Sequence, residues 1–245
     1  MKKITSFILV SALCVAATLQ SCKKSEEAAP VVTKCATCTA TPDAVAANNS
    51  SSKGIYKGVF IGSSGTIKFD VLNSGTTITA VMVIDGITVN LNSSIAWANG
   101  QPYVAPFTGT FNGAAITINF SVDASGGTPV IVSSSVPGHP TIQFTLLKET
   151  SVALVEAFEG SYTTSLSESG TFNMLASRVL GKYGGVSRKT NGSSNGGFDG
   201  TLDAAGNMKD SKDGIIIGKI TGDDIAGTST AGNGAVIKIV AKRTL

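Results

Sequence analysis

The chain has one histidine, His139, which stands between Gly138 and Pro140. A Ser-His-Asp triad uses a histidine as its base, so any such site would have to include this residue. Glycine and proline on either side predict a surface turn, which does not suit a fixed catalytic base. Paired carboxylates could drive glycoside hydrolysis, but the aspartates mostly mark turns: Asp85, Asp203, Asp213, Asp223 and Asp224. We expect no catalytic residue, and a carboxylate-dependent hydrolase is the least favoured alternative.

Oxygen ligands for Ca²⁺ could come from aspartates late in the chain, namely Asp203, Asp210, Asp213, Asp223 and Asp224. These residues lack the regular alternation and the terminal glutamate of an EF-hand, and Asx turns explain them better. A zinc site needs about four ligands, which Cys35, Cys38 and one histidine do not supply. We therefore predict no metal and no cofactor.

Three aromatic residues near a predicted loop are the best candidates for contact with a ligand. Trp97, Tyr103 and Phe107 flank the turn-forming run Asn99-Gly100-Gln101-Pro102. Rigid aromatic side chains beside a loop could stack on a sugar or anchor a protein partner. The alternative is that Trp97 closes one end of the first β domain from inside.

Cys35 and Cys38 form a Cys-x-x-Cys motif among Thr, Ala and Pro. In an oxidising compartment this spacing favours a local disulfide, which would contribute little to a distant domain because the closed loop is so short. A redox site would place the motif at a helix start beside a βαβ unit, and no such pattern follows.

The start of the chain has the three regions of a secretory signal. Lys2 and Lys3 precede an apolar run of residues 4–17, and Leu19-Gln20-Ser21-Cys22 follows. The run is shorter than the roughly 20 residues of a membrane span. The last four residues resemble the lipobox of bacterial lipoproteins, of the looser Bacteroidota kind. The resemblance implies a signal peptide over 1–21 and acyl chains such as palmitate on Cys22. An uncleaved anchor helix and an ordinary signal cleaved near Ser21 are the alternatives.

Lipidation at Cys22 implies a protein held at the membrane by its acyl chains. Lys23 rather than aspartate follows the cysteine, which in this family argues for the outer membrane. The run Lys23-Lys24-Ser25-Glu26-Glu27 partly resembles an acidic signal for export to the cell surface, so the periplasmic side and the surface both stay open. Residues 22–53 have little to bury and predict a disordered linker. The body is nearly neutral and has no basic stripe, which gives no reason to expect nucleic acid.

From residue 54 on, short β-prone runs alternate with Gly, Asn, Asp and Ser, which predicts an all-β fold of antiparallel meanders. We predict a first β domain over 54–149, a connector or short helix over 150–159, and a second β domain over 160–245. The predicted strands lie near 55–61, 66–72, 77–84, 87–95, 104–111, 115–121, 130–136 and 141–148, and near 158–165, 170–177, 180–188, 197–203, 214–220, 224–230 and 235–243. Asp85-Gly86 is expected to form a tight hairpin.

The second half repeats motifs of the first in the same order, which predicts an internal duplication. Phe107-Thr108-Gly109-Thr110-Phe111 matches Phe198-Asp199-Gly200-Thr201-Leu202, and residues 141–150 align with 235–244 without gaps. These motifs resemble the Gly/Thr-rich β-meander domains of Bacteroidota lipoproteins and are similar to the small eight-stranded barrels of the transferrin-binding-protein type.

The resemblance implies tandem small barrels or sandwiches and transfers no ligand residues. We expect a non-enzymatic, lipid-anchored envelope protein that binds an unknown protein or carbohydrate partner or has a structural role. The alternative is a barrel that carries a small apolar ligand in its mouth. An empty interior would favour that alternative, and bulky side chains filling both barrels would count against it.

Overall fold

The computed structural model describes residues 35–245, so the predictions for the signal peptide and for Cys22 concern residues outside this range. The first sheet consists of β1 (Gly54–Ile61), β2 (Gly65–Val71), β3 (Ile78–Ile84), β4 (Ile87–Asn92), β5 (Tyr103–Phe111), β6 (Ala114–Val122), β7 (Val130–Ser135) and β8 (Gln143–Glu149). The second consists of β9 (Glu156–Thr164), β10 (Ser169–Ser177), β11 (Lys182–Lys189), β12 (Asn195–Leu202), β13 (Asn207–Asp210), β14 (Ile216–Thr221), β15 (Asp224–Thr230) and β16 (Val236–Arg243). The predicted all-β fold of tandem antiparallel meanders is confirmed.

Both sheets have the same plan, in which consecutive strands pair and the first strand also pairs with the last, but one consecutive pair of the first sheet is missing. The second sheet is a closed barrel, whereas in the first sheet β7 and β8 are not hydrogen-bonded to each other. The first sheet is therefore a nearly closed barrel with one open seam. The hairpin at Asp85-Gly86 has the predicted positive φ values, 50° and 76°, as a type I′ turn requires.

The second barrel contains one strand that the sequence did not predict. Residues 207–210 pair with β12 and β14 as the short strand β13, although Asn-Met-Lys-Asp has little β character. The Phe-x-Gly-Thr motifs lie in the fifth strand of the first sheet and the fourth strand of the second. The two motifs therefore do not occupy equivalent strands of the two sheets. Residues 141–150 and 235–244 do, because they fall on the closing strands β8 and β16.

The connector between the two sheets is not a helix. Residues 150–153 form a turn closed by a bridge between Thr150 and Ala153, and β9 already begins at Glu156. The pairing of β9 with both β10 and β16 holds residues 156–159 in an extended conformation. The second β domain thus starts four residues before the predicted boundary.

The prediction of a disordered linker is wrong for residues 35–53, which pack on the body. A short 3₁₀ turn, Ala46–Asn48, buries Asn48, whose Nδ2 donates to the carbonyl oxygen of Asn73 at 2.8 Å. Lys148 of β8 donates to the carbonyl oxygens of Asn48 and Ser51, and burial lowers the pKa of this lysine to about 8. Partners 25 and 100 residues away therefore hold a segment whose own composition predicts disorder.

The two sheets contact each other through β1 and β8 of the first and β9, β10 and β11 of the second. Every residue of β1 is buried, because one face lines the first core and the other lies against the second barrel. Between the sheets, Val59, Val155, Ala157 and Leu175 form a small apolar cluster. The described chain from residue 35 to 245 is therefore one compact unit. None of its helices is long and apolar enough to cross a membrane.

Candidate functional site: the open cavity of the second barrel

The interior of the second barrel contains a cavity of about 270 Å³. Seven of the eight strands contribute to its wall, and only β15 does not. The lining residues are Tyr162, Phe172, Ser187, Phe198, Met208, Ile217, Ile237 and Ile239. The only polar side-chain groups among them are the hydroxyls of Tyr162 and Ser187, so the site suits an apolar ligand that makes few hydrogen bonds.

Strand alternation points these side chains inward. In β16, Ile237 and Ile239 line the cavity, whereas Val236, Lys238 and Val240 are exposed on the outside. Gly218 of β14 lies opposite Ile239, and a Cβ atom at that position would come within 2.8 Å of its Cδ1 atom. Glycine at 218 therefore leaves the space that the Ile239 side chain fills.

A β-bulge brings one further side chain into the wall. The register between β13 and β14 shifts after Met208, so that Met208 pairs with Gly218 and Lys209 pairs with Ile216. The extra residue is Ile217, which lines the cavity, whereas Ile216 is exposed. A bulge re-aims a side chain in this way at the cost of one unpaired residue.

The cavity opens at the end of the barrel where the turns 165–168, 190–194, 211–215 and 231–235 lie. Tyr162, Phe198 and Ile237 face the interior but are only partly buried, as expected for the wall of an open mouth. Deeper in the barrel, the hydroxyl of Tyr183 is buried and has no hydrogen-bond partner among the described residues. Burial and the nearby Asp210, Asp199 and Asp213 raise the pKa of this phenol, so it stays neutral.

The interior of the first sheet is filled instead. The rings of Phe69 and Phe120 stack with centroids 4.6 Å apart, and Tyr56 and Phe107 pack edge-on against Phe120 at 5.1 and 6.0 Å. All four side chains are buried. The inside of the second barrel is therefore partly empty and that of the first sheet is filled, although the first sheet has a groove of about 640 Å³ at its open seam between β7 and β8.

The three predicted contact aromatics do not form a contact surface. Phe107 is a core residue, and Tyr103 is buried with its hydroxyl donating to the carbonyl oxygen of Ile95 at 3.1 Å. Trp97 is partly buried against the same core, and its indole N–H donates to Ser52 Oγ at 2.8 Å. The arrangement supports the alternative in which Trp97 closes one end of the first sheet.

Cys35 and Cys38 are joined by a disulfide. The backbone N–H of Cys35 donates to Asp223 Oδ2 at 2.6 Å, which places the motif beside the β14–β15 turn. That turn is at the end of the second barrel opposite the mouth. The motif has no helix after it, so the surroundings are those of a structural disulfide rather than a redox centre.

Three of the five aspartates considered as Ca²⁺ ligands cap turns, whereas Asp223 accepts from Cys35 and Arg243 and Asp224 pairs with Lys242. The Asn207 side chain donates to Asp203 Oδ2 and the N–H groups of Asn207 and Ala205 donate to Oδ1, and these bonds lower the pKa of the Asp203 carboxyl, the side-chain bond most. Asp210 accepts from Lys212, and Asp213 accepts from Ile215. These are the Asx turns that the sequence predicts. Within residues 35–245 no three potential ligands lie close enough to hold a metal ion.

His139 lies at the seam of the first sheet. Its Nε2 is 3.2 Å from Asp85 Oδ2, and Ser63 Oγ donates to the other oxygen of the same carboxylate. The carboxylate therefore stands between the hydroxyl and the imidazole, whereas a nucleophilic triad needs the imidazole in the middle. Gly192-Ser193-Ser194-Asn195-Gly196 has the letters of a nucleophile elbow, but it leads from β11 into β12 rather than into a helix.

Comparisons with known proteins give no relative. No protein-family model matches the chain, and no curated protein or solved structure is significantly similar to it. The cavity is thus the feature from which a function can be argued. Sequence reasoning missed its residues, although the alternation Ile237-Lys238-Ile239 in the closing strand already indicated one apolar inner face.

Proposed function

We propose that this is a lipid-anchored envelope protein whose second barrel binds a small apolar ligand in its mouth. The observation that carries the proposal is the open apolar cavity, which contrasts with the aromatic-filled interior of the first sheet. Small barrels of eight strands are just wide enough to be filled by side chains or to hold one small ligand. This protein contains one barrel of each kind.

The size and the chemistry of the cavity limit the ligand. About 270 Å³ lies just below the roughly 300–1,000 Å³ of sites for drug-sized molecules, so the bound part is one or two rings or a short alkyl chain. Each methylene moved out of water contributes about 0.8 kcal/mol. A polar end of the ligand would remain at the mouth, since the inner wall offers only the Tyr162 and Ser187 hydroxyls.

Residue 35 lies at the end of the second barrel opposite the mouth. Asp223 holds Cys35 at the far end of the barrel, and Arg243 near that end donates to the carbonyl oxygen of Thr39.

Filling the cavity is expected to abolish ligand binding. The probe is N-phenyl-1-naphthylamine, a neutral dye that fluoresces in apolar sites, titrated into a full chain with Cys22→Ser so that no detergent is needed. Ile237→Trp places a large ring in the cavity and should weaken dye binding at least tenfold. Val236→Trp, the adjacent outward-facing position, is the matched control and should leave the Kd within twofold. No dye binding by the parent chain, or equal binding by both tryptophan variants, would refute the proposal.

The anchor is tested separately from the cavity. Cells that express the chain are labelled with a radioactive fatty acid, and the protein is then isolated and counted. We expect label on the parent chain and none on Cys22→Ser, because serine has no thiol through which the lipid could be attached. Label that persists in this variant would place the lipid elsewhere, and an unlabelled parent would remove the anchor from the proposal.

A further inference from the structure

The open seam of the first sheet leaves two strand edges facing each other across a groove. β7 and β8 are not hydrogen-bonded to each other, whereas the second sheet, which has the same number of strands, closes completely. The number of strands therefore does not require a gap. The groove of about 640 Å³ between β7 and β8 is a missing ladder in a sheet that is otherwise continuous.

The backbone of β8 directs hydrogen-bonding groups into this groove. A Cβ atom at Gly58 of β1 would lie 3.2 Å from the carbonyl oxygen of Thr145, so this carbonyl points to β1. Successive residues of a paired strand direct their N–H and C=O groups to opposite edges. The backbone groups of Phe144 and Leu146 consequently point away from β1 and into the groove. Within residues 35–245 these groups have no partner across the gap.

Apolar side chains form the floor of the groove. Ile131, Phe144 and Leu146 line it and pack against the core of the first sheet, but they are only partly buried. The ring of Phe144 lies against that of Phe60, with centroids 5.2 Å apart. A chain laid along the groove in an extended conformation would cover this floor with every second side chain. The groove thus offers both backbone partners and an apolar surface to one added strand.

The edge of β8 lacks the features by which proteins block strand addition. Natural sheets protect exposed edges with charged side chains, proline or a bulge. β7 has a bulge, where its register with β6 shifts. Residues 143–147 of β8 contain neither a charged residue nor a proline, and their pairing with β1 is regular. The edge of β8 is therefore competent to accept a further strand.

The surroundings of β8 select a single extended segment as the occupant. Thr145, Leu146 and Leu147 also line a cleft of about 340 Å³ against β11 and β12, with Lys182 and Asp199 on its other wall. The edge of β8 therefore lies in a recess between β7 and the second barrel. The same edge of a second copy is equally recessed, so two copies cannot bring these edges together. One extended chain needs only about 5 Å from its own axis to that of β8.

We infer that the seam binds an extended segment of a partner protein, which adds to the first sheet as a strand antiparallel to β8. Antiparallel pairing is the more stable per residue, and strand addition takes its affinity from backbone hydrogen bonds and its specificity from alternate side chains. The inward-pointing side chains of the segment are apolar, because they contact the apolar floor. The inference does not rest on the cavity of the second barrel or on the anchor.

The probes are three short fluorescein-labelled peptides in which threonine alternates with valine, leucine or phenylalanine, with a lysine at each end for solubility. Fluorescence anisotropy with the full Cys22→Ser chain should give a Kd below about 100 μM for at least one peptide. The matched controls are the same peptide methylated on the backbone nitrogens of its threonines or of its apolar residues. Each set of methyl groups removes the donors along one edge, and at least one methylated form should bind at least tenfold more weakly.

Amide hydrogen exchange followed by NMR locates the added strand. With the peptide bound, exchange of the Phe144 and Leu146 amides should slow at least tenfold, because their N–H groups gain acceptors. The amides of Thr145 and Leu147 already face β1 and should not change. Leu146→Lys places a charge in the groove and should weaken binding at least fivefold, whereas Val104→Lys, on the exposed outer side of β5, should bind like the parent chain.

Three results would overturn the inference: no binding of any peptide, undiminished binding of both methylated forms, or protection of the Phe144 and Leu146 amides before peptide is added. Protection that appears only as the concentration of the chain rises would assign the edge to a second copy and would also overturn it. Ile237→Trp, which fills the barrel cavity, should bind the peptide like the parent chain. Its behaviour separates a failure of the seam from a failure of the ligand cavity.

Discussion

Replacing Lys57 by methionine is expected to lower the free energy of unfolding by about 3–5 kcal/mol. Lys57 Nζ lies 2.7 Å from Glu149 Oε2, and both side chains are fully buried where the two sheets meet. Lys57 also donates to the carbonyl oxygen of Val155 at 3.2 Å. Methionine fills a similar volume but leaves the Glu149 carboxylate buried without its counter-charge. Urea unfolding followed by circular dichroism measures the loss.

Two further variants separate this explanation from simple loss of packing. Adding Glu149→Gln to Lys57→Met removes the second charge and keeps one acceptor oxygen, which can accept from the N–H of Val155 or of Asp43 but not from both, as Glu149 does now at 3.0 and 2.7 Å. Part of the lost stability should therefore return. Lys68→Met breaks a pair with Asp43 whose side chains are 35% and 32% exposed, and it should cost less than about 1 kcal/mol. If Lys57→Met cost as little stability as Lys68→Met, the explanation by a buried charge pair would be contradicted.

Replacing Phe120 by alanine is expected to cost about 3–5 kcal/mol. Phe120 is fully buried, stacks on Phe69 and receives the edges of Tyr56 and Phe107. Its removal leaves a void that these rings cannot close, because they are attached to three different strands. Loss of contact with several rings adds to the loss of buried area. Urea unfolding again provides the measurement.

The same substitution in the second barrel provides the comparison. Phe198 lies in the wall of the open cavity and is only partly buried, so Phe198→Ala should cost less than half as much as Phe120→Ala. The difference follows from water already reaching one side of the Phe198 ring. Equal costs would mean that the second barrel is as tightly packed as the first, and the ligand-binding proposal would lose its basis.

These experiments treat the two barrels as different in function although they are alike in topology. The first is filled with aromatic rings, and the second is open at one end. A filled barrel can serve as a rigid surface, whereas an open one can hold a ligand. The buried pair of Lys57 and Glu149 lies between them.

The sequence by itself determined the strands, the turns and the inner faces, because these depend on neighbouring residues. Ile116, Ile118 and Phe120 alternate along β6 and are all buried as predicted. Asn112-Gly113 forms a turn with φ values of 50° and 78°, as its residue types favour. Period-two alternation and positive-φ turn residues act over a few positions and need no distant partner.

Only the tertiary structure decided four features: the ordered conformation of residues 35–53, the strand β13, the gap between β7 and β8, and the cavity. Asp43 is held by Glu149, more than 100 residues away, and β13 exists because β12 and β14 pair with it on either side. Whether a barrel is open or filled depends on side chains from seven strands meeting at one point. Such contacts between side chains depend on strand pairing across the whole sheet, and no local pattern in the sequence encodes them.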